Sequence, residues 1–303
     1  MNNWKKMDLF DATITYATQE EGRRLIAQHD TYTDRLTTFD LNYRCQKGHA
    51  TLDEYLTNCQ NAVRDFSPQE HDLIEYMLCE INSELKRHGM MLPQMEQINL
   101  VRTSGQEENG VVGYTRGNTI YLCQNAFIGN EGELERILVH ELFHILTRNN
   151  FAFRQRMYGI VGFTLTDKTF VYPPEYATRF FSNPDVSDQI CYAYIQNDGR
   201  LRKVMPMMCS SRPYCGGHVM RYARPCYYEL DEHDEFLHDE NGRLCFYAFD
   251  WNDEHYLELV GRNTSYLVHP EEVLAENFVL AVLGTLEELP NPEIVENIRQ
   301  ALR

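Results

Sequence analysis

The sequence predicts an α+β protein built on a mixed sheet, and three observations predict it. Helical periodicity dominates residues 1–92; short extended runs at 98–104, 111–115 and 118–124 then lead straight into a helix over 131–148; and a Tyr-, Pro- and Cys-rich stretch with β-prone pieces precedes two closing helices. The chain thus divides into a helical N-terminal region (1–92), strands and one long helix (93–160), an irregular β-containing module (161–268) and C-terminal helices (269–303). Together these can form one continuous domain.

The stretches 18–29 and 51–63 carry interrupted helical periodicity. The clearest helix begins at Ser67, where Ser67, Pro68 and Glu70 supply an N-cap, a proline at the first helical position and a capping-box carboxylate. Leu73, Ile74, Met77, Leu78, Ile81 and Leu85 form its apolar stripe, and Gly89 ends it. After Pro93 the period shortens to that of strands, separated by Gly- and Asn-containing turns. The helix over 131–148 stops at Asn149 and Asn150, and a short helix is expected over 151–160. The module beyond contains pieces such as RLCFYAF (243–249) and no long helical stripe. His269 and Pro270 introduce a helix over 271–283 that Gly284 stops, and the last helix follows Pro292.

Composition excludes several classes. The formal charge is −17, from 45 acidic against 28 basic side chains, and no Lys/Arg run is long enough for a nucleic-acid footprint. The opening residues meet Asp8 and Asp11 where a secretion signal needs an apolar stretch. No window approaches the roughly 18 apolar residues of a membrane span. A soluble, cytoplasmic protein is expected, with non-classical secretion left open. Nine cysteines, an odd count, fit free buried thiols in a reducing compartment. Cys209, Cys215, His218 and Cys226 could be drawn as a second metal site, but their gaps do not match paired CxxC knuckles.

The segment HELFH (140–144) carries the chemistry. Two imidazoles four residues apart on a helix project from one face a turn apart, so His140 and His144 can reach one ion and form half of a tetrahedral zinc site. Glu141 is placed to hydrogen-bond a water on that metal without being a ligand, the position of a catalytic general base. An amphipathic helix whose polar arc holds Arg136, His140, Glu141, His144, Thr147 and Arg148 would look similar, but it gives no reason for the motif to follow β-strands.

A catalytic zinc needs a third donor, and HPEEVLAENF (269–278) offers the best one. Glu272 and Glu276 lie one turn apart on a side that continues through Ala275, Val279 and Leu283, so carboxylates buried there need partners. A zinc ion would satisfy Glu272, and the far nitrogen of a histidine Glu276. The competing explanation is that Glu271 and Glu272 decorate a first helical turn, and His218, His233, His255 and His269 compete as third ligand.

With these residues the sequence resembles the gluzincins, the thermolysin-like branch of the zincin metallopeptidases, without matching one particular family. The resemblance rests on HELFH, on the later Glu272 and on an acid four positions beyond it. It implies a zincin-like fold with an active-site HExxH helix, one zinc per chain held by His140, His144 and Glu272, Glu141 as general base, Glu276 supporting a ligand, and a peptide or protein substrate. The long interval between His144 and Glu272 departs from compact members. The metzincin signature is absent, since Thr147 and Asn150 occupy its Gly and His positions. A zincin substrate lies along an edge strand, a role that order alone gives to 119–123, with a central strand free of ligand contact as the equal alternative. Tyr266, His269 and Tyr228 are candidate donors to the oxyanion. Two other readings stand beside the peptidase: a zinc-dependent hydrolase of a non-peptide amide or ester, and a catalytically inactive zincin-like interaction protein.

Overall fold

The computed structural model of the chain describes residues 5–6, 12–171, 178–186, 189–197, 199–248, 253–267 and 269–303. Most of the opening segment weighed as a leader therefore lies outside the described residues. In chain order the elements are β1 (Lys5–Lys6), β2 (Thr13–Tyr16), α1 (Gln19–Ile26), α2 (Thr38–Arg44), α3 (Leu52–Ala62), β3 (Val63–Arg64), α4 (Pro68–Arg87) and β4 (Gln97–Thr103). Then come β5 (Gly113–Arg116), β6 (Thr119–Cys123), α5 (Glu131–Asn149), α6 (Phe151–Ile160), β7 (Thr164–Thr169), β8 (Gln189–Asn197) and β9 (Arg200–Ser210). The chain closes with β10 (Ala223–Glu229), β11 (Phe246–Ala248), α7 (Glu254–Val260), α8 (Pro270–Leu283) and α9 (Pro292–Ala301).

The first sheet is mixed, in the order β1-β2-β4-β6-β5. β2, β4 and β6 run parallel, β5 returns antiparallel beside β6, and β3 pairs antiparallel with the end of β4. Two expectations change here. Residues 1–92 are not wholly helical, because Thr13–Tyr16 and Val63–Arg64 pair with β4 and belong to the sheet. The four residues of β2 are too few to show a period against the helical stretches around them. The segment 119–123 is an internal strand, β6, and the edge belongs to Gly113–Arg116.

Alternate residues of the parallel strands face opposite layers. Ile98, Leu100, Ile120 and Leu122 pack with Leu78 and Ile81 of α4 and with Leu138 and Leu142 of α5. Val101, Tyr121 and Cys123 pack on the other face with Ile26 of α1 and with Tyr55 and Cys59 of α3. Burial on both faces is why these strands read as almost continuous apolar runs. Helix α4 has the expected capping box, Ser67 accepting from Glu70 N and Glu70 from Ser67 N, and beyond it Gly89 takes the left-handed φ of +65°.

The second sheet is an antiparallel meander, β7 to β11 in sequence order. One face joins the main core through Cys191, Ala193, Ile195, Val204 and Tyr227. The other closes over Phe180, Ile190, Met205, Met207, Cys209 and Tyr228. The module is thus a regular sheet for much of its length, followed by α7, whose seven residues are too short to show a stripe.

Helix α8 is apolar on nearly every side, with Val273, Leu274, Ala275, Phe278, Val279, Ala281 and Val282 all buried. It packs against α5, where the Phe278 and Phe143 rings lie 5.4 Å apart. Burying each large side chain contributes about 1.5–3 kcal/mol, so apolar packing fixes α8 against the HELFH helix. No described helix is long and apolar enough to cross a membrane.

Candidate metal centre

Two helices bring the site together. Asn130 caps α5 by accepting from Glu133 N, and the helix then runs unbroken through 140–144. His269 caps α8 and Pro270 occupies its first position, which puts Glu271 and Glu272 in the first turn, 1% and 2% exposed. Consecutive helical residues point about 100° apart, so these two carboxylates serve different partners.

Glu272 meets the ring edges: its Oε2 lies 3.3 Å from His140 Nε2 and 3.6 Å from His144 Nε2. One ligand atom from each of the three residues falls within 4.8 Å of the others. The opposite ring nitrogens are held by separate acids, His140 Nδ1 by Glu276 at 3.0 Å and His144 Nδ1 by Glu271 at 3.0 Å. A carboxylate only accepts, so each Nδ1 donates a hydrogen to its own acid and both Nε2 atoms are left turned toward Glu272. This is the support that metal-ligating histidines commonly have. Glu271 is itself fixed by the Thr147 hydroxyl at 2.5 Å and the Tyr158 hydroxyl at 2.8 Å. Glu276 also takes Arg136 at 3.1 Å, and Asn183 Nδ2 donates to Glu272 Oε1 at 2.6 Å.

The donor set fits a divalent cation. His144 Nε2 is buried without a hydrogen-bond partner, as is Glu141 Oε2. An orphaned buried nitrogen costs about 1–3 kcal/mol unless something meets it, and two imidazoles with a carboxylate match the preference of zinc. The electrostatics also favour positive charge. Burial works against a charged His140, yet Glu272 and Glu276 outweigh it and push its pKa up to about 9. His144 is likewise shifted upward, against its own burial, by Asp185 and Glu272. Glu141, 3% exposed, has its pKa raised by burial and then by the nearby Asp185 charge.

No protein-family model, curated protein or solved structure matches this chain.

The centre opens into a cavity of about 770 Å³ whose walls include His140, Glu141, Val112, Met207 and Tyr266. Tyr266 is 43% exposed, and Glu272, followed by burial, raises the pKa of its hydroxyl. Of the three candidate oxyanion donors it is the one left in place. His269 reaches the cavity wall, but its Nδ1 accepts from Glu271 N at 3.1 Å and its Nε2 lies 3.6 Å from Cys191 Sγ. Tyr228 is removed from the site, buried between Phe180, Phe236 and Phe246 in the second sheet. His233 and His255 are exposed beside Glu232 and Glu258, and His218 caps a turn by accepting from Met220 N.

The cysteine-rich set is not gathered as a metal site among the described residues. Cys209 and Cys226 are buried on neighbouring strands, whereas Cys215 is exposed beside the Tyr222 hydroxyl.

Three site residues escape the sequence pattern: Glu271, Asn183 and Asp185. Asn183 and Asp185 flank Pro184 in a stretch that reads only as a turn. Asp185 Oδ1 accepts from both the N–H and the hydroxyl of Thr115 at 2.7 Å. Its carboxylate, Glu141 and His144 bring ligand atoms within 4.8 Å of one another.

Proposed function

We propose that this chain is a zinc-dependent metallopeptidase with a zincin-like arrangement, His140, His144 and Glu272 holding one zinc and Glu141 acting as general base. The observation that carries this reading is the convergence of two Nε2 atoms on one Glu272 oxygen while each Nδ1 is held by its own acid. An ordinary amphipathic helix has no need of that double support. The HELFH helix beneath a mixed sheet whose edge strand runs antiparallel adds to it.

Zinc in such a site supplies Lewis acidity, polarising a carbonyl and making water nucleophilic near neutral pH. The protein's own groups do the rest. Glu141 Oε2, buried and unpartnered, takes a proton from the attacking water and returns it to the leaving nitrogen. Tyr266 offers a hydroxyl from the cavity wall to the developing oxyanion. Glu271 and Glu276 keep the imidazoles in one tautomer and orientation.

Metal analysis combined with digestion of a peptide library tests the reading. About one zinc per chain is expected, lost in His140→Ala and His144→Ala. Glu141→Gln should retain zinc and lose at least ~10³-fold in kcat. Full activity in Glu141→Gln, or a wild-type chain that binds no zinc, would defeat the assignment.

A further inference from the structure

We infer that the cleft works from the free amino terminus of its substrate, with Asp185 as the anchor for the terminal ammonium, so that the chain is an aminopeptidase. The inference rests on the metallopeptidase reading and deepens it.

The edge strand β5 sets the geometry. In its ladder with β6 the Thr115 N–H points away from β6 and donates to Asp185 Oδ1. The two-residue period then turns the N–H and C=O of Gly113 to the same open side. An extended peptide adding to this edge can pair at Gly113 but not at Thr115, whose N–H and hydroxyl are both taken by Asp185.

The turn that carries Asp185 is fixed. Ser182 N donates to Asp40 at 3.1 Å, and Ser182 O accepts from Arg44 at 2.7 Å. Arg148 donates to Pro184 O at 2.8 Å and Arg35 to Val186 O at 3.0 Å. In the other direction the cavity continues past Gly113 along Val111, Val112, Met205 and Met208. Strand pairing along this edge therefore stops at Asp185 and can run on past Gly113, which suits a chain terminus rather than the middle of a chain.

Hydrogen-bonding character decides which terminus. Asp185, Glu141 and Glu272 all line the cavity there, and Glu141 Oε2 is buried and unpartnered. Arg148 acts on Asp185 and Glu141 through its charge, while its hydrogen bonds go to the Thr115 hydroxyl and to the carbonyls of Gly117, Pro184 and Asp185. These carboxylates accept and do not donate, so a terminal ammonium matches Asp185 and a terminal carboxylate does not. The Asp185 carboxylate lies within 4.8 Å of ligand atoms of His144 and Glu141. That separation is comparable to the roughly 3.5 Å spanned by one extended residue, so residues leave singly. In each cycle the first peptide C–N bond breaks and water oxygen bonds to the carbonyl carbon. Glu141 carries one water proton to the leaving nitrogen.

The test uses the zinc-loaded full chain and one set of synthetic peptides in two forms, with free and with acetylated amino termini, read by mass spectrometry. Stepwise loss of N-terminal residues from the free peptides alone is expected. Asp185→Asn retains an acceptor for Thr115 and should keep its zinc, yet lose roughly 10- to 100-fold in kcat/KM on free peptides, chiefly through KM. Internal cleavage of acetylated peptides, or trimming from the carboxyl end, would overturn this inference while leaving the peptidase reading intact. A zinc-loaded chain that cuts neither form overturns both. An Asp185→Asn chain as fast as the parent removes Asp185 from substrate binding. The comparison of free with acetylated peptides needs no variant, so it stands even if Asp185→Asn does not fold.

Discussion

Glu271 shows how little a single side chain reveals before its neighbours are known. At the start of a helix an acid has an ordinary reason to be present. Here Glu271 is buried and accepts from Thr147 and Tyr158 while holding His144 Nδ1. Glu271→Gln should weaken zinc binding about 10- to 100-fold, as loss of an outer-shell partner typically does; chelator competition measures it, and unchanged affinity would remove Glu271 from the site. Gly113 is similar. A Cβ there would lie 2.8 Å from Glu141 Oε1 and 3.2 Å from Ile137 Cγ2, so only glycine leaves the carboxylate in place. Gly113→Ala should keep zinc and lose ~10²-fold in kcat, the scale of a misplaced reacting group; steady-state kinetics beside metal content checks it. Residue type and spacing make His140, Glu141 and His144 legible in the sequence. Asp185 and Asn183 are not legible, because nothing in a turn says what it faces.

Helices α5 and α8 are bridged by the centre as well as by their apolar faces, so metal should matter to stability and not to activity alone. Zinc at about 1,000 times its Kd adds about 4 kcal/mol to the folded state. Chelation should therefore lower Tm by roughly 10 °C, and calorimetry with and without chelator reads it. An unchanged Tm would mean that zinc does not bridge the pair. Most element bounds follow from local signals: the capping box at Ser67 and Glu70, Asn130, and the Pro270 and Pro292 starts. Strand order does not. Gly113–Arg116 and Thr119–Cys123 form a hairpin, and pairing of β6 with β4 makes the later strand internal and the earlier one the edge. That choice depends on contacts far apart in sequence, which a strand's own period does not encode.

Over the whole molecule, ion pairs link the sheet to both of its helical layers. Arg116 of β5 meets Asp30 after α1 at 2.8 Å, and Arg102 of β4 meets Glu70 of α4 at 2.9 Å. Burial raises the pKa of both carboxyls, but the bonds from Arg116 and Thr33 to Asp30, and from Ser67 and Arg102 to Glu70, leave each below its ordinary value. A carboxylate whose folded pKa is depressed stabilises the fold above its unfolded pKa, near 4, and loses that contribution as pH falls through the folded value. Stability should therefore decline below about pH 4, and Asp30→Asn should flatten that acid limb in urea midpoints measured from pH 7 to 3; an unaltered slope would assign the limb to other groups. By itself the sequence determined the α+β class and the helix bearing 140–144, because helical period and capping chemistry are local, and it offered the later acidic turn as an expectation. Only the tertiary structure decided which acid meets which ring nitrogen, which strand lies at the edge, and that Asp185 of the 183–186 turn caps Thr115 of that edge strand. Those outcomes depend on how α8 packs on α5 and how the second sheet lies over the site, and packing of that range is set by the molecule as a whole.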